Sequence, residues 1–344
     1  MELASGRRRI GPCLDPGSRV RRFLLLGVCA LAGCRASALP ESQVFPAGTE
    51  FSARYLRVDG AKIRYIDAGH GAPVIFLHGL GASMYAWRKN LPAVVAAGFR
   101  VIAFDNRGFG LSDKPPAPYD NAAYARLTVA LMDSLRLTDA VLVGHSMGGA
   151  IAAEVAIELP QRVRGLVLVG SAGLGAREPL LFRIARWPVL GRVALAFRGR
   201  AFTGRLLRAT YFDASKVTEA DVDQYYAPVA QPEYPRALVG VLRQFRFTAL
   251  EGRLDRIAAA TMVLWGEEDR WVPIALGRAL ATGITRSAFV SVPRAGHSVQ
   301  EEAPDEVNHL MIRFLKDGLP RIPTDLASAR TIYFINRPVD EMAL

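Results

Sequence analysis

Cysteine is almost absent from this chain. The 344 residues include three cysteines, and all three lie within the first 34. Residues 35–344 therefore hold neither a disulfide framework nor a cysteine-based metal site. Histidine is scarce as well, with five residues in the whole chain. Few side chains remain that could act as a general base near neutral pH.

Long blocks of one charge are missing too. The net charge is +11, and six arginines fall within residues 1–33 against only Glu2 and Asp15. The rest of the positive excess is spread along the chain, which makes nucleic-acid binding a poor interpretation. An anionic membrane surface is a better candidate partner. With 51% hydrophobic residues, the chain can bury a large core.

The apolar run at the N-terminus is too short to cross a bilayer. It covers residues 23–31 and follows the arginine-rich residues 19–22. A basic segment before a short apolar one is typical of a secretory signal. Residues 31–34, Leu-Ala-Gly-Cys, resemble the bacterial lipobox. The resemblance implies cleavage before Cys34 and attachment of lipid to that residue.

We therefore expect an exported, membrane-anchored bacterial lipoprotein that faces the periplasm or the outer membrane. Residues 36–38, Ala-Ser-Ala, also suit ordinary signal cleavage, so a secreted or periplasmic protein is the alternative. Residues 1–34 are thus predicted to be a signal segment, and residues 35–50 a linker.

The body of the chain alternates between strand and helix patterns. Residues 51–66 predict a hairpin about Asp59-Gly60. Helical patterns, such as residues 124–135 and 147–159, separate most of the later strand patterns. This alternation predicts an α/β protein with a mostly parallel, eight-stranded sheet and helices on both faces. The apolar runs typical of buried strands cover residues 74–77, 101–104, 140–143, 166–169, 262–265 and 289–292.

One stretch interrupts the alternation. Residues 174–250 show no strand pattern, only amphipathic helix, and an insertion of this length predicts a helical cap over the site. The core is then formed by residues 51–173 and 251–318. Residues 319–344 are a C-terminal tail without an interpretable motif. The prolines that break the helical pattern are Pro188, Pro228, Pro232 and Pro235.

A glycine-rich turn carries the strongest chemical signal. Residues 144–148 read Gly-His-Ser-Met-Gly between a strand pattern and a small-residue helical pattern. Such a turn is strained and needs room for close approach of helix and strand, which the glycines leave. It lifts the hydroxyl of Ser146 clear of the sheet and points the Met147 amide into the same space. Ser146 is therefore the candidate nucleophile, while His145 is expected to point away from it.

Turns at other strand ends supply partners for this serine. Residues 78–81, His-Gly-Leu-Gly, predict a loop whose Leu80 amide pairs with that of Met147 as an oxyanion hole. His78 itself is expected to be a structural hydrogen-bonding residue. Asp269, after the strand at 262–265, is the candidate acid.

The histidine loop completes the set of candidates. His297 follows the last strand and is the best placed of the five histidines to act as the base. Asp269 would accept the imidazole Nδ1 hydrogen, and Glu268 is the alternative acid.

The order serine, acid, histidine closely resembles the α/β-hydrolases over residues 51–315, and residues 104–110 with Ser112 resemble that family's loop after the fourth strand. In that loop Asp105 is expected to be structural. The resemblance implies the α/β-hydrolase fold with a helical cap and acyl transfer to water. No metal or organic cofactor is expected.

The nucleophile narrows the reaction. Relatives that open epoxides or displace halide have aspartate at this turn, so Ser146 argues against both. We expect a serine carboxylesterase or lipase that acts on short- to medium-chain or monoacylglycerol-like esters with an apolar acyl chain. Some carbon–carbon hydrolases have asparagine in place of His145, which favours the ester. The alternatives are a carbon–carbon hydrolase of the ring-cleavage type, a cofactor-free peroxidase-like relative and a non-catalytic surface binding protein.

Overall fold

A computed structural model describes residue 44, residues 51–175, residue 187, residues 199–318 and the backbone of residues 334–336. The predicted signal segment, including Cys34, lies outside these residues, as does most of the predicted linker and tail. Within the described part of the chain, no helix is long and apolar enough to cross a membrane.

One sheet forms the centre of the described chain. Its spatial order is β1-β2-β4-β3-β5-β6-β7-β8-β9. Strands β3 to β8 form one parallel block, while β2 is antiparallel to β1 and β4, and β9 is antiparallel to β8. The prediction of a mostly parallel, eight-stranded sheet is confirmed by β1 to β8, and a short ninth strand adds to its edge. The strands are β1 (Arg54–Val58), β2 (Ala61–Ala68), β3 (Pro73–Leu77), β4 (Arg100–Phe104), β5 (Ala140–His145), β6 (Val163–Val169), β7 (Thr261–Gly266), β8 (Ser287–Val292) and β9 (Phe334–Asn336).

The first two strands form the predicted hairpin. Asp59 and Gly60 have φ values of 49° and 76°, and Val58 pairs with Ala61 across them. Two consecutive left-handed residues match the right-handed twist of the strands, and Asp-Gly adopts that turn readily.

Helices cover both faces of the sheet. One face packs against α2, α3 and α7, through residues such as Leu131, Ile151 and Leu280. The other packs against α1 and α9, through Val94 and Phe314 among others. Because both faces are covered, the parallel strands are apolar at successive positions. The helices are α1 (Leu91–Ala96), α2 (Asn121–Ser134), α3 (Met147–Glu158), α4 (Arg200–Ala209), α5 (Glu219–Val229), α6 (Tyr234–Gln244), α7 (Ile274–Gly283), α8 (Val299–Glu302) and α9 (Pro304–Asp317).

Helices α4, α5 and α6 lie between β6 and β7 in the sequence, within the predicted insertion. Thr218 and Asp221 cap the start of α5 reciprocally. Pro228 lies inside the last turn of α5, so it does not break the helix where the sequence suggested, and Pro235 lies in the first turn of α6. The first turn of a helix tolerates proline, because the backbone N–H groups there have no partner within the helix.

Candidate active site

The turn between β5 and α3 has the strained geometry that its sequence predicts. Ser146 has φ 53° and ψ −117°, a backbone conformation that residues other than glycine rarely adopt. The neighbouring glycines have no room for a side chain. A Cβ atom on Gly144 would lie 2.4 Å from the Gly148 oxygen, and one on Gly148 would lie 2.3 Å from the Leu77 oxygen. Close packing of β5, α3 and the end of β3 thus holds Ser146 at the apex.

The structure pairs Asp269 with His297. The Asp269 Oδ2 atom lies 2.8 Å from His297 Nδ1, and both residues are buried. The other carboxylate oxygen accepts the amides of Trp271 and Val272, each at 2.8 Å. Because a carboxylate only accepts hydrogen bonds, His297 Nδ1 carries the hydrogen and Nε2 is left to accept a proton.

The alternative acid has a different partner. Glu268 Oε2 accepts the Ala295 amide at 3.1 Å. Its carboxylate therefore supports the backbone of the loop that leads to His297, and Asp269 alone of the two acids contacts the imidazole. This geometry favours the choice of Asp269 made from the sequence.

Ser146 and His297 border one cavity of about 240 Å³. Leu80 borders it as well, whereas Met147 has a fully buried side chain and lies beside the cavity as the first residue of α3. None of the described residues that border this cavity is an aspartate, glutamate, lysine or arginine. The apolar wall comes from distant parts of the chain and includes Leu174, Phe202, Leu206, Leu207, Val229, Leu238, Phe247 and Val272.

His78 has the structural role expected of it. Its Nδ1 atom donates to the Gly79 carbonyl at 2.8 Å, and its Nε2 atom accepts the Asn106 amide at 2.9 Å. Burial lowers its pKa, while the nearby Asp105 charge opposes that shift. With both nitrogens engaged, His78 ties the loop before Leu80 to the loop after β4.

Asp105 is structural as well. Its two oxygens accept the Met84 and Leu111 amides, each at 2.8 Å, and the side chain is fully buried. It therefore joins the loops that follow β3 and β4 and does not contact the cavity.

His145 is the residue that the sequence reading missed. It borders the cavity, and its ring centre lies 4.8 Å from that of His297. Its Nε2 atom lies 3.0 Å from the His297 carbonyl oxygen, so Nε2 must donate and Nδ1 carries no hydrogen. Burial, reinforced by the neighbouring His297, lowers the pKa of His145 well below its usual value. His145 is therefore neutral. It donates a hydrogen bond to the backbone of His297, and its ring forms part of the cavity lining.

Comparisons with known proteins place this site in context. The profile of the α/β hydrolase fold matches residues 72–304. The chain is 33% identical over 273 residues to a 2-hydroxy-6-oxo-6-phenylhexa-2,4-dienoate hydrolase of Burkholderia cepacia, covering 75% of this chain and 92% of that protein.

Two solved structures are also similar. A meta-cleavage product hydrolase from Pseudomonas fluorescens IP01 is 27% identical, with a TM-score of 0.68 over 77% of this chain and 98% of that one. A membrane phospholipase A, a bacterial virulence factor, is 27% identical, with a TM-score of 0.68 over 86% of this chain and 92% of that one.

The expectation of a carboxylesterase or lipase is wrong on this comparison. The relative that is 33% identical is named a hydrolase of a dienoate ketone, which matches the carbon–carbon alternative. The physical reason is that a serine, a histidine and an acid activate attack on a ketone carbonyl as they do on an ester carbonyl. The difference between asparagine and histidine at position 145 was therefore a poor guide to the reaction.

Proposed function

Since the chain belongs to the α/β-hydrolase family, we propose that it hydrolyses the carbon–carbon bond beside a ketone in a ring-fission product. The observation that carries the proposal is the Asp269–His297 pair, whose histidine borders the same cavity as Ser146, in a chain 33% identical to a dienoate hydrolase. Ser146 is the proposed nucleophile, His297 the base and Asp269 the acid that orients it. The amides of Leu80 and Met147 are the proposed oxyanion donors.

The proposed reaction balances with water alone. Ser146 Oγ adds to the ketone carbon at position 6 as His297 Nε2 takes its proton. For carbon 5 to accept charge, the proton of the 2-hydroxyl must first move to carbon 5, which makes that carbon tetrahedral and turns carbon 2 into a ketone. Cleavage between carbons 5 and 6 then leaves an acyl-serine, and the electron pair is delocalised through the double bond between carbons 3 and 4 to the 2-oxo oxygen, which takes the proton held by His297. Water, activated by His297, then releases the acid. The products are one carboxylic acid and one hydroxydienoate.

The cavity wall supports an apolar group on the ketone carbon. Leucine, valine and phenylalanine side chains dominate the wall. Burial of a phenyl or alkyl group against such side chains is favourable. We therefore propose aryl or alkyl ketones of this class as substrates.

The test compares two reactions catalysed by the same protein. Wild type and Ser146→Ala are given 2-hydroxy-6-oxo-6-phenylhexa-2,4-dienoate, whose cleavage removes its conjugated absorbance, and p-nitrophenyl butyrate. We expect kcat/KM for the dienoate to exceed that for the ester by at least about tenfold, and Ser146→Ala to lose both activities. Cleavage of p-nitrophenyl butyrate without cleavage of the dienoate, by folded wild type, would contradict the proposal.

Residues 174–250 are proposed to form a cap over this cavity. Phe202, Leu206 and Thr210 of the α4 region, Val229 of α5 and Leu238 of α6 all border it, which supports the assignment. The remaining boundaries of signal, linker, core and tail stay predictions.

We also propose export and lipid attachment at Cys34. The support is the basic and apolar pattern of residues 19–31 and the Leu-Ala-Gly-Cys sequence that follows it. Cells expressing the full chain should incorporate labelled palmitate into wild type and not into Cys34→Ala. Label that persists after the substitution would rule out Cys34 as the attachment site.

A further inference from the structure

One buried carboxylate binds the loop of His297 to the chain that follows α4. Glu302 is 3% exposed, and its Oε2 atom accepts the Gly296 amide at 2.7 Å and the Phe212 amide at 2.9 Å. Its Oε1 atom accepts the Asp213 amide at 2.7 Å. A single side chain thus joins the residue before His297 to two residues of the insertion.

The residues on either side of His297 pack closely against the same segment. A Cβ atom on Gly296 would lie 2.6 Å from the Thr210 oxygen, so the two backbones are in direct contact. The Ser298 amide donates to that oxygen at 3.1 Å, and the Ser298 hydroxyl donates to Thr210 Oγ1 at 2.8 Å. These bonds and those of Glu302 form what we call the α4 junction: Thr210, Phe212, Asp213, Gly296, Ser298 and Glu302.

The loop that contains Asp269 also contacts the end of α4. Trp271 Nε1 donates to the Ala209 carbonyl at 2.9 Å, and the Trp271 amide is bound by Asp269. The same segment of the chain also borders the cavity, through Phe202, Leu206 and Thr210. The segment that borders the cavity is therefore also the segment that holds the loops of Asp269 and His297.

We propose that Glu302 is a positioning residue that sets the placement of His297 against Ser146 by fixing Gly296 to the end of α4. A carboxylate suits this role because it offers acceptors only, and three amides point at it. Glutamine would turn an NH₂ group towards amide donors. Misplacement of a catalytic group by about 1 Å can cost about 10²-fold in rate. The inference rests on the proposed function only in that His297 activates Ser146.

The test measures that activation without any choice of substrate. The full chain is treated with a fluorophosphonate, which reacts covalently with an activated serine, and the rate of labelling of Ser146 is followed from pH 5 to 9. Glu302→Gln should lower the high-pH plateau of this rate by at least about tenfold at a temperature well below its Tm. A change in the charge near His297 would shift the midpoint of the profile, whereas misplacement lowers the plateau.

The matched control is Asp120→Asn. The Asp120 carboxylate also accepts a backbone amide, that of Ala123 at 2.7 Å, but it caps α2 and does not border the cavity. Its plateau should stay within about twofold of wild type. A lowered Tm with a wild-type plateau in Glu302→Gln would overturn the proposal, because the role would then be structural only.

Two further arms keep the outcomes separate. If Glu302→Gln does not fold, Thr210→Val, which removes the hydroxyl bound by Ser298, decides by the same plateau: a tenfold loss supports the α4 junction and no loss overturns it. If the fluorophosphonate labels Ser146 of wild type but wild type does not cleave the dienoate, the proposed function is contradicted. The comparison of labelling rates between Glu302→Gln and wild type still tests the role of Glu302 in that case.

Discussion

Two adjacent carboxylates, Glu268 and Asp269, show how the surroundings of a residue decide its role. Asp269 has one oxygen on His297 and the other on two backbone amides, which fixes its orientation. Glu268 supports the Ala295 amide instead. The sequence left both acids possible, because three acids in a row carry no mark of which one faces the histidine.

The roles of the two acids can be separated by isosteric substitution. Asp269→Asn keeps the shape of the side chain but presents an amide to His297, so it favours the wrong tautomer and should lower kcat/KM by about 10⁴-fold. Glu268→Gln keeps an oxygen for the Ala295 amide and should change kcat/KM by less than about tenfold. Both are measured on the substrate that wild type cleaves, or by fluorophosphonate labelling. An equal loss in both variants would argue against a distinct role for Asp269.

At the scale of the element, the turn between β5 and α3 requires glycine, because neighbouring backbone atoms leave no room for a Cβ atom at Gly144 or Gly148. Strand β5 lies directly between β3 and β6, and α3 is buried along almost its whole length. A side chain on Gly148 would collide with the Leu77 and His78 carbonyl oxygens, at 2.3 and 2.7 Å. Backbone atoms at the end of a central strand cannot move aside cheaply.

Gly148→Ala should therefore destabilise the protein and displace Ser146. We expect a loss of unfolding free energy of about 3 kcal/mol, together with loss of labelling at Ser146, since overpacking of a rigid site costs about 1–3 kcal/mol or more. The control is Gly199→Ala, where a Cβ atom would meet nothing within 4 Å. Urea denaturation gives the free energies. Equal stability of the two alanine variants would contradict the packing argument.

At the scale of the whole molecule, a buried lysine joins the core to the insertion. Lys114 Nζ donates to the Gly110 and Ser112 carbonyls at 2.8 and 3.0 Å and to Gln231 Oε1 at 2.7 Å. Burial lowers its pKa to about 8, and the Asp105 charge opposes that shift. The folded state therefore binds the lysine proton more weakly than the unfolded chain does.

The sign of the pH effect follows from that difference. Between pH 8 and the usual lysine pKa the unfolded chain holds more protons, so the contribution of Lys114 to stability rises with pH. The stability of wild type relative to Lys114→Met should increase by about 2 kcal/mol from pH 8 to pH 10. Urea denaturation of both proteins at each pH measures it, and the comparison cancels other titrating groups. A difference that does not vary with pH would show that the lysine titrates normally.

The sequence by itself determined the features whose signals are local. The Asp59-Gly60 hairpin, the apolar strands and the strained turn at Ser146 depend on neighbours along the chain, and each is found as expected. The candidates Asp269 and His297 could be chosen because parallel strands end at one edge of the sheet, and the structure brings the two together.

The tertiary structure alone decided the rest. Strand β9 has no apolar pattern that would mark it in the sequence. The hydrogen bonds of Glu302 and His145 join segments about 90 and 150 residues apart in the chain, so no local pattern reveals them. The reaction was misjudged for the same reason. A triad of serine, histidine and acid can activate attack on either kind of carbonyl. In our proposal the choice of substrate depends on the cavity wall, which the fold assembles from Leu174, Phe202, Phe247 and Val272, residues that become neighbours only when the chain is packed.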